Sequence, residues 1–233
     1  GRLVFTDELT LSSSGLINRH FHGITPEIRN FVDGFRTEFQ TDRILEAIQK
    51  LEKLRVMVIG EAIIDRYTFT EPLGQTGKGP FLAVRYDYSE DYAGGALAVA
   101  NHIAAVAGKV TVVSGIGDPA VEEADYEKFM RSRLRSNVKA EFFRFGEART
   151  VVKERFVDAE LSKFFEVYYF NEEPHAKQEE EKRICGFLEK SLPEYDVVIV
   201  PDYGNGLISK PIIETICRGA RFLAVNTQIN SGN

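Results

Sequence analysis

Four short apolar runs limit what this chain can become: RVMVIG (55–60), KVTVVSGIG (109–117), YDVVIVPDYG (195–204) and RFLAVNT (221–227). A run with no polar alternation leaves no face for water, so it suits a strand covered on both sides, as in parallel sheets. Between the runs lie patterns of helical period at 94–107, 121–136, 176–191 and 209–218. Strands alternating with helices predict an α/β fold: a doubly wound, mostly parallel sheet flanked by helices.

Two stretches break the theme. FLAVRYDY (81–88) and RTVVKERFVDAELSKFFEVYYF (149–170) alternate and are rich in Val, Phe and Tyr. They predict antiparallel strands that pair with each other in a small sheet or flap, apart from the main sheet. GQTGKGP (74–80) lacks the first glycine and the Ser/Thr of a phosphate loop, and reads as a surface turn. At the N-terminus, LVFT (3–6) reads as a strand, and Ser12–Ser14 can cap a helix carrying Leu16, Ile17 and Phe21. Residues 26–54 read as a helical connector, with Ile44, Leu45, Ile48, Leu51 and Leu54 at helical spacing.

A chain of 233 residues with 43% apolar and 27% charged residues can bury a full core. Its net charge of −6 argues against nucleic acid or an anionic membrane as principal partner. No apolar run reaches the length of a membrane span. Cys185 and Cys217 stand far apart and read as two reduced thiols of a cytoplasmic protein. His20, His22, His102 and His175 have no ligand-like spacing, so no protein-built metal site is expected.

Candidate site residues gather where apolar runs end. Asp65 lies just past the first run and Asp202 ends the third. In open α/β sheets ligands collect beyond the carboxyl ends of strands, and a carboxylate there can accept bonds from hydroxyls; the other reading of Asp65 is a loop residue capping its turn. Gly94 and Gly95 precede a helix of small residues. Without Cβ atoms, a ligand can approach the main chain at a helix N-terminus, which favours anionic or oxygen-rich groups; the plainer reading is a tight turn with close packing.

Taken in order, VMVIGEAIIDRY, GGALAVANHIAAVAGKVTVVSGIGD, RTVVKERFVD and VVIVPDYGNGLIS resemble the PfkB/ribokinase family of sugar kinases over roughly residues 55–233. The last two are similar to its heptose-phosphate branch. The resemblance implies a ribokinase-like fold with a small antiparallel β lid, strands at about 68–90 and 149–170, and a homodimer through that lid. It implies ATP with Mg2+ as cofactors and a sugar or sugar phosphate as partner. Asp65, Gly94, Gly95, Asn101 and Asp202 would hold the acceptor, and Lys153 and Arg155 would meet a phosphate on it. The family's Asn after the double glycine is Ala98 here, with Asn101 one turn on. Asn205 replaces the heptose branch's Lys, and VNTQ (225–228) stands for its VDPK. Its Gly-Ala-Gly-Asp motif, which carries the catalytic base, is absent, so the base is expected beyond Asn233 and the chain alone is expected to be inactive. FTDELTLSSSGLINRHF is similar to the tail of cytidylyltransferase-like nucleotidyltransferases, which implies a transferase tail (1–25), a linker (26–54) and a kinase region (55–233) of a bifunctional protein. The rival expectation is a non-catalytic sugar-phosphate binding or assembly module.

Overall fold

The first apolar run forms strand β1 (Arg55–Ile59), and its alternate side chains show how the fold is built. Val56 and Val58 enter one apolar cluster with Leu97, Ala100, Val110, Val112 and Met130. Met57 and Ile59 enter a second with Ile184, Leu188, Ile212 and Ile216. A strand buried on both faces must have helices on both, and this is the reason the run carries no polar alternation. The computed structural model describes residues 25–170 and 178–228. The expected strand at 3–6, the Ser12–Ser14 cap and all but the last residue of the transferase-like tail lie outside the described residues, as do positions 176–177 of an expected helix.

β1 is the centre of a five-stranded parallel sheet. The other strands are β4 (Lys109–Ile116), β5 (Val138–Arg144), β8 (Val197–Asp202) and β9 (Leu223–Thr227), in the order β5-β4-β1-β8-β9. Helices α3 (Ala96–Ile103) and α4 (Tyr126–Ser132) supply the first cluster; α5 (Gln178–Ser191) and α6 (Lys210–Gly219) supply the second. The doubly wound architecture is therefore as expected. Strand β5 was not: VKAEFFR alternates, because an edge strand is only half covered. The helix expected over 121–136 is short, beginning where the Asp125 carboxylate accepts the Lys128 N–H at 3.0 Å.

The second sheet has the order β3-β2-β6-β7, from β2 (Ala62–Gln75), β3 (Leu82–Gly95), β6 (Val151–Val157) and β7 (Lys163–Tyr169). It corrects two expectations. Residues 81–88 do not pair with 149–170, because β2 lies between them. The sheet is also mixed rather than antiparallel, since β2 and β6 run parallel. Two hairpins build the sheet, and it is the β2 edge of the first that meets β6 of the second. β2 and β3 form a hairpin through the turn at 76–81, where the Thr76 N–H donates to the Phe81 carbonyl at 3.0 Å. β6 and β7 form a second hairpin about Asp158. Pro72 is tolerated in β2 because β6 pairs only as far as Phe69 and leaves that edge free.

The chain divides into two compact units, residues 1–48 and 49–233. In the first, helix α1 (Pro26–Glu38) starts where the Thr25 hydroxyl accepts the Ile28 N–H and Pro26 takes a first-turn position that needs no donor. Helix α2 (Thr41–Leu51) follows and runs across the boundary. No described helix is long and apolar enough to cross a membrane, and both cysteines are free thiols.

Candidate functional site

Three chain segments meet at the carboxyl edge of the parallel sheet, and one buried acid joins them. β1 leads into Gly60–Glu61, and Gly60 passes so close to β8 that a Cβ on it would sit 2.3 Å from the Pro201 carbonyl oxygen. Glu61 is only 4% exposed. Its carboxylate accepts the backbone N–H of Tyr203 at 3.0 Å and of Asn205 at 3.2 Å. Its own carbonyl accepts the Ala96 N–H at 2.9 Å, at the first residue of α3. Burial pushes the Glu61 carboxyl up from its ordinary value, against the pull of those N–H donors. The sequence reading missed Glu61; its signal was a lone acid inside an apolar run.

Asp65 is not in a loop. The chain resumes as β2 at Ala62, so Asp65 is its fourth residue, and the expectation that it lies just past a strand is corrected. The preceding Ile63 and Ile64 are both buried, and Ile64 packs in the cluster that α3 supplies, so an apolar stretch leads into Asp65 although β1 has already ended. One oxygen of Asp65 accepts from the Arg155 guanidinium at 2.7 Å. The other lies directly over Gly94: a Cβ there would stand 1.9 Å from Oδ2. The first glycine is therefore required by a carboxylate of this same chain. The second is required by the backbone, since Gly95 has φ +57° and a Cβ on it would meet the Glu61 carbonyl oxygen at 2.3 Å.

Arg155 reaches Asp65 from β6, whose parallel register places it opposite Tyr67, and its guanidinium lies 5.3 Å from the centre of the Tyr67 ring. On its other flank is Glu166 of β7, 3.4 Å away. Glu166 also accepts from Lys163 at 2.6 Å and from the Tyr168 hydroxyl. Burial works against the Arg155 charge, but its bond to Asp65 and that carboxylate's attraction outweigh it, holding the guanidinium above its ordinary value. Hydrogen bonds from Lys163 and Tyr168 hold the Glu166 carboxyl below its own. Lys153, opposite Asp65 in register, rests its ammonium over the Tyr168 ring at 5.4 Å.

Two other sequence candidates are already engaged. Asp202 accepts the Gly204 N–H at 2.9 Å and closes its own turn. Asn101 donates to the Arg133 carbonyl and accepts the Arg135 N–H, both at 2.9 Å, and so ties α3 to the turn after α4. The structure thus gathers Asp65, Gly94, Gly95, Lys153 and Arg155 with the unforeseen Glu61, Tyr67, Glu166 and Tyr203. Burial first, then the charges of Asp65 and Glu61, push the Tyr203 phenol up, so it stays a neutral donor. The assembly offers hydroxyl acceptors and a guanidinium side by side, a set suited to a polyhydroxylated ligand carrying an anion.

No family model matches the chain. Over 172 residues it is 30% identical to the bifunctional protein HldE of Chromohalobacter salexigens, covering 73% of this chain and 34% of that protein. It is 26% identical, over 172 residues, to D-beta-D-heptose 7-phosphate kinase of Bordetella bronchiseptica, covering 74% and 52%. The chain thus spans about a third to a half of the length of these curated relatives. Among solved structures it is similar to the tetrameric inhibited form of phosphofructokinase-2 from Escherichia coli, with TM-score 0.51, 16% identity and coverage of 74% of this chain and 55% of that one. It is equally similar to ribokinase from Giardia lamblia, with TM-score 0.51, 11% identity and coverage of 77% and 57%. At such identities the likeness is one of fold.

Proposed function

We propose that this chain, a PfkB-type sugar-kinase region by its sequence relatives and its fold, holds the acceptor in ATP-dependent phosphorylation of a sugar or sugar phosphate. One observation carries the reading: Asp65, Arg155 and the Gly94–Gly95 mouth of α3 lie together where the parallel sheet ends and the mixed sheet begins. Asp65 would accept from sugar hydroxyls. Arg155 and Lys153 would meet an anionic group on the same molecule. Glu61 would fix the 203–205 loop beside them. ATP is the implied donor and Mg2+ the ion carried on its phosphates; the roles assigned to residues concern the acceptor alone. We further propose the domain plan of transferase tail, linker and kinase region, a cytoplasmic protein, and a homodimer through the mixed sheet. That sheet exposes Leu82, Tyr86, Tyr88, Phe165 and Tyr168.

A non-catalytic binding module is the second reading, favoured by Ala98 and by Asn205. Both readings require sugar recognition, and titration calorimetry tests it. Hexose 6-phosphates and heptose 7-phosphates are compared with inorganic phosphate, so that the ratio of Kd values isolates the sugar's own contribution. At least one sugar phosphate should bind more tightly than phosphate. Asp65→Asn should shrink that advantage roughly ten- to a hundredfold, the worth of a hydrogen bond to a charged acceptor. A panel in which no sugar phosphate outbinds phosphate would end the sugar reading.

A further inference from the structure

The residues expected to share the work of holding an acceptor are, in this structure, holding each other. Asp65 on β2 and Arg155 on β6 are 90 residues apart in sequence and form a 2.7 Å ion pair. Both side chains are only about a quarter exposed, at 26% and 24%. We infer that this pair is a resting lock on the acceptor site, and that an anionic group on the incoming sugar is what opens it. The inference rests on the acceptor reading above for its ligand class, and on the geometry alone for the lock.

The neighbours show why an anion is the key. To bind hydroxyls in full, Asp65 must release its Arg155 contact. Arg155 cannot be compensated by Glu166 alone, because Glu166 stands 3.4 Å away and is already paired with Lys163 at 2.6 Å. A neutral sugar would therefore leave a half-buried guanidinium short of a partner, which is the costly way to break such a pair. A phosphate replaces what Arg155 gives up, and the planar guanidinium can meet it with two parallel N–H bonds. Lys153, on the same strand two residues back and opposite Asp65 in register, brings a second cation from above the Tyr168 ring. Tyr67 under the guanidinium keeps it on this face as it turns. The site would thus take phosphorylated sugars and discriminate against their neutral counterparts, without any contact that repels the neutral ones.

The lock makes a prediction that a plain phosphate contact does not: removing an acid should strengthen anion binding beyond a small uniform charge effect. In Asp65→Asn, inorganic phosphate no longer competes with Asp65 for Arg155, and its Kd should fall about tenfold. Glu166→Gln removes the same charge from the far flank of Arg155 and should change phosphate binding less than Asp65→Asn does. Arg155→Ala should lose the phosphate. Phosphate affinity is read by titration calorimetry, with circular dichroism confirming that each variant is folded, and Asp65→Ala stands in if the Asn variant is not. Unchanged or weaker phosphate binding in a folded Asp65 variant overturns the lock, as does an equal gain in Glu166→Gln. The sugar arm compares sedoheptulose 7-phosphate with sedoheptulose. The wild-type chain should prefer the phosphorylated form at least tenfold, and Arg155→Ala should bind the neutral sugar more tightly than wild type does. If the phosphate arm succeeds while neither sugar binds, the acceptor reading fails and the lock stands as an anion gate. If the phosphate arm fails, the lock falls whatever the sugars do.

Discussion

Replacing Gly94 by alanine tests whether that glycine exists for Asp65. The added Cβ would lie 1.9 Å from Asp65 Oδ2 and 2.8 Å from its Cγ, so the carboxylate must retreat by about 1.5 Å to reach the 3.4 Å at which ordinary contact begins. The backbone imposes no penalty, because Gly94 is not among the glycines of positive φ. The other close neighbour, the Ile63 carbonyl oxygen at 3.3 Å, needs to yield only slightly. A retreat of that size takes Asp65 out of its 2.7 Å bond with Arg155. Forced overpacking of this kind costs about 1–3 kcal/mol. At the middle of that range, about 2 kcal/mol, the melting midpoint should fall by roughly 4–8 °C. The decisive assay is a double-mutant cycle by urea denaturation. With Asp65→Ala in the background the obstacle is gone, and Gly94→Ala should be neutral or stabilising by up to about 1 kcal/mol, as Gly→Ala is at an unstrained site. The cycle should therefore show coupling of at least about 1 kcal/mol. Additivity within roughly 0.5 kcal/mol would show that Gly94 and Asp65 do not meet, and would refute the reasoning.

Glu61→Gln should cost about 1–3 kcal/mol, because an amide cannot accept from both the Tyr203 and Asn205 N–H groups and leaves one unsatisfied. Because burial raises the Glu61 carboxyl, the folded protein holds that proton more tightly than the unfolded chain. Wild-type stability relative to Glu61→Gln should therefore decline as pH rises from the ordinary carboxylate value through the raised one, and paired urea melts across that range check the sign. Leu161→Gly should stabilise the β6–β7 turn by roughly 0.5–1 kcal/mol, since Leu161 adopts φ +65°, which costs a side chain with a Cβ; a lowered melting midpoint would contradict this. The 233-residue chain alone, given ATP, Mg2+ and a panel of sugar phosphates, should release no ADP, because its sequence holds no Gly-Ala-Gly-Asp; steady ADP formation would overturn that expectation.

The sequence by itself determined the central sheet. RVMVIG, KVTVVSGIG and YDVVIVPDYG are apolar on both faces because helices cover both, and such burial is written in a strand's own residues, whereas RFLAVNT became an edge strand with Val225 exposed despite the same pattern. It also marked the double glycine before α3 and the presence of a second, more exposed sheet. What it could not determine were the partnerships between distant segments. β5 and the first half of β2 stayed hidden because one is half covered and the other passes from core to solvent along its length, so neither keeps one period throughout. That β2 rather than β3 would pair with β6 depended on how the two hairpins meet, a contact between segments far apart in sequence. Asp65 could be marked as a site residue from its place near an apolar run, but its bond to Arg155 spans 90 residues. The Glu61 contacts to the 203–205 loop span 142 and 144. No local pattern encodes such contacts, because they cost the chain nothing until the sheets bring the groups together. Even Gly94, legible at once as a special position, owes its identity to a carboxylate on the neighbouring strand, and only the tertiary structure places that carboxylate over it.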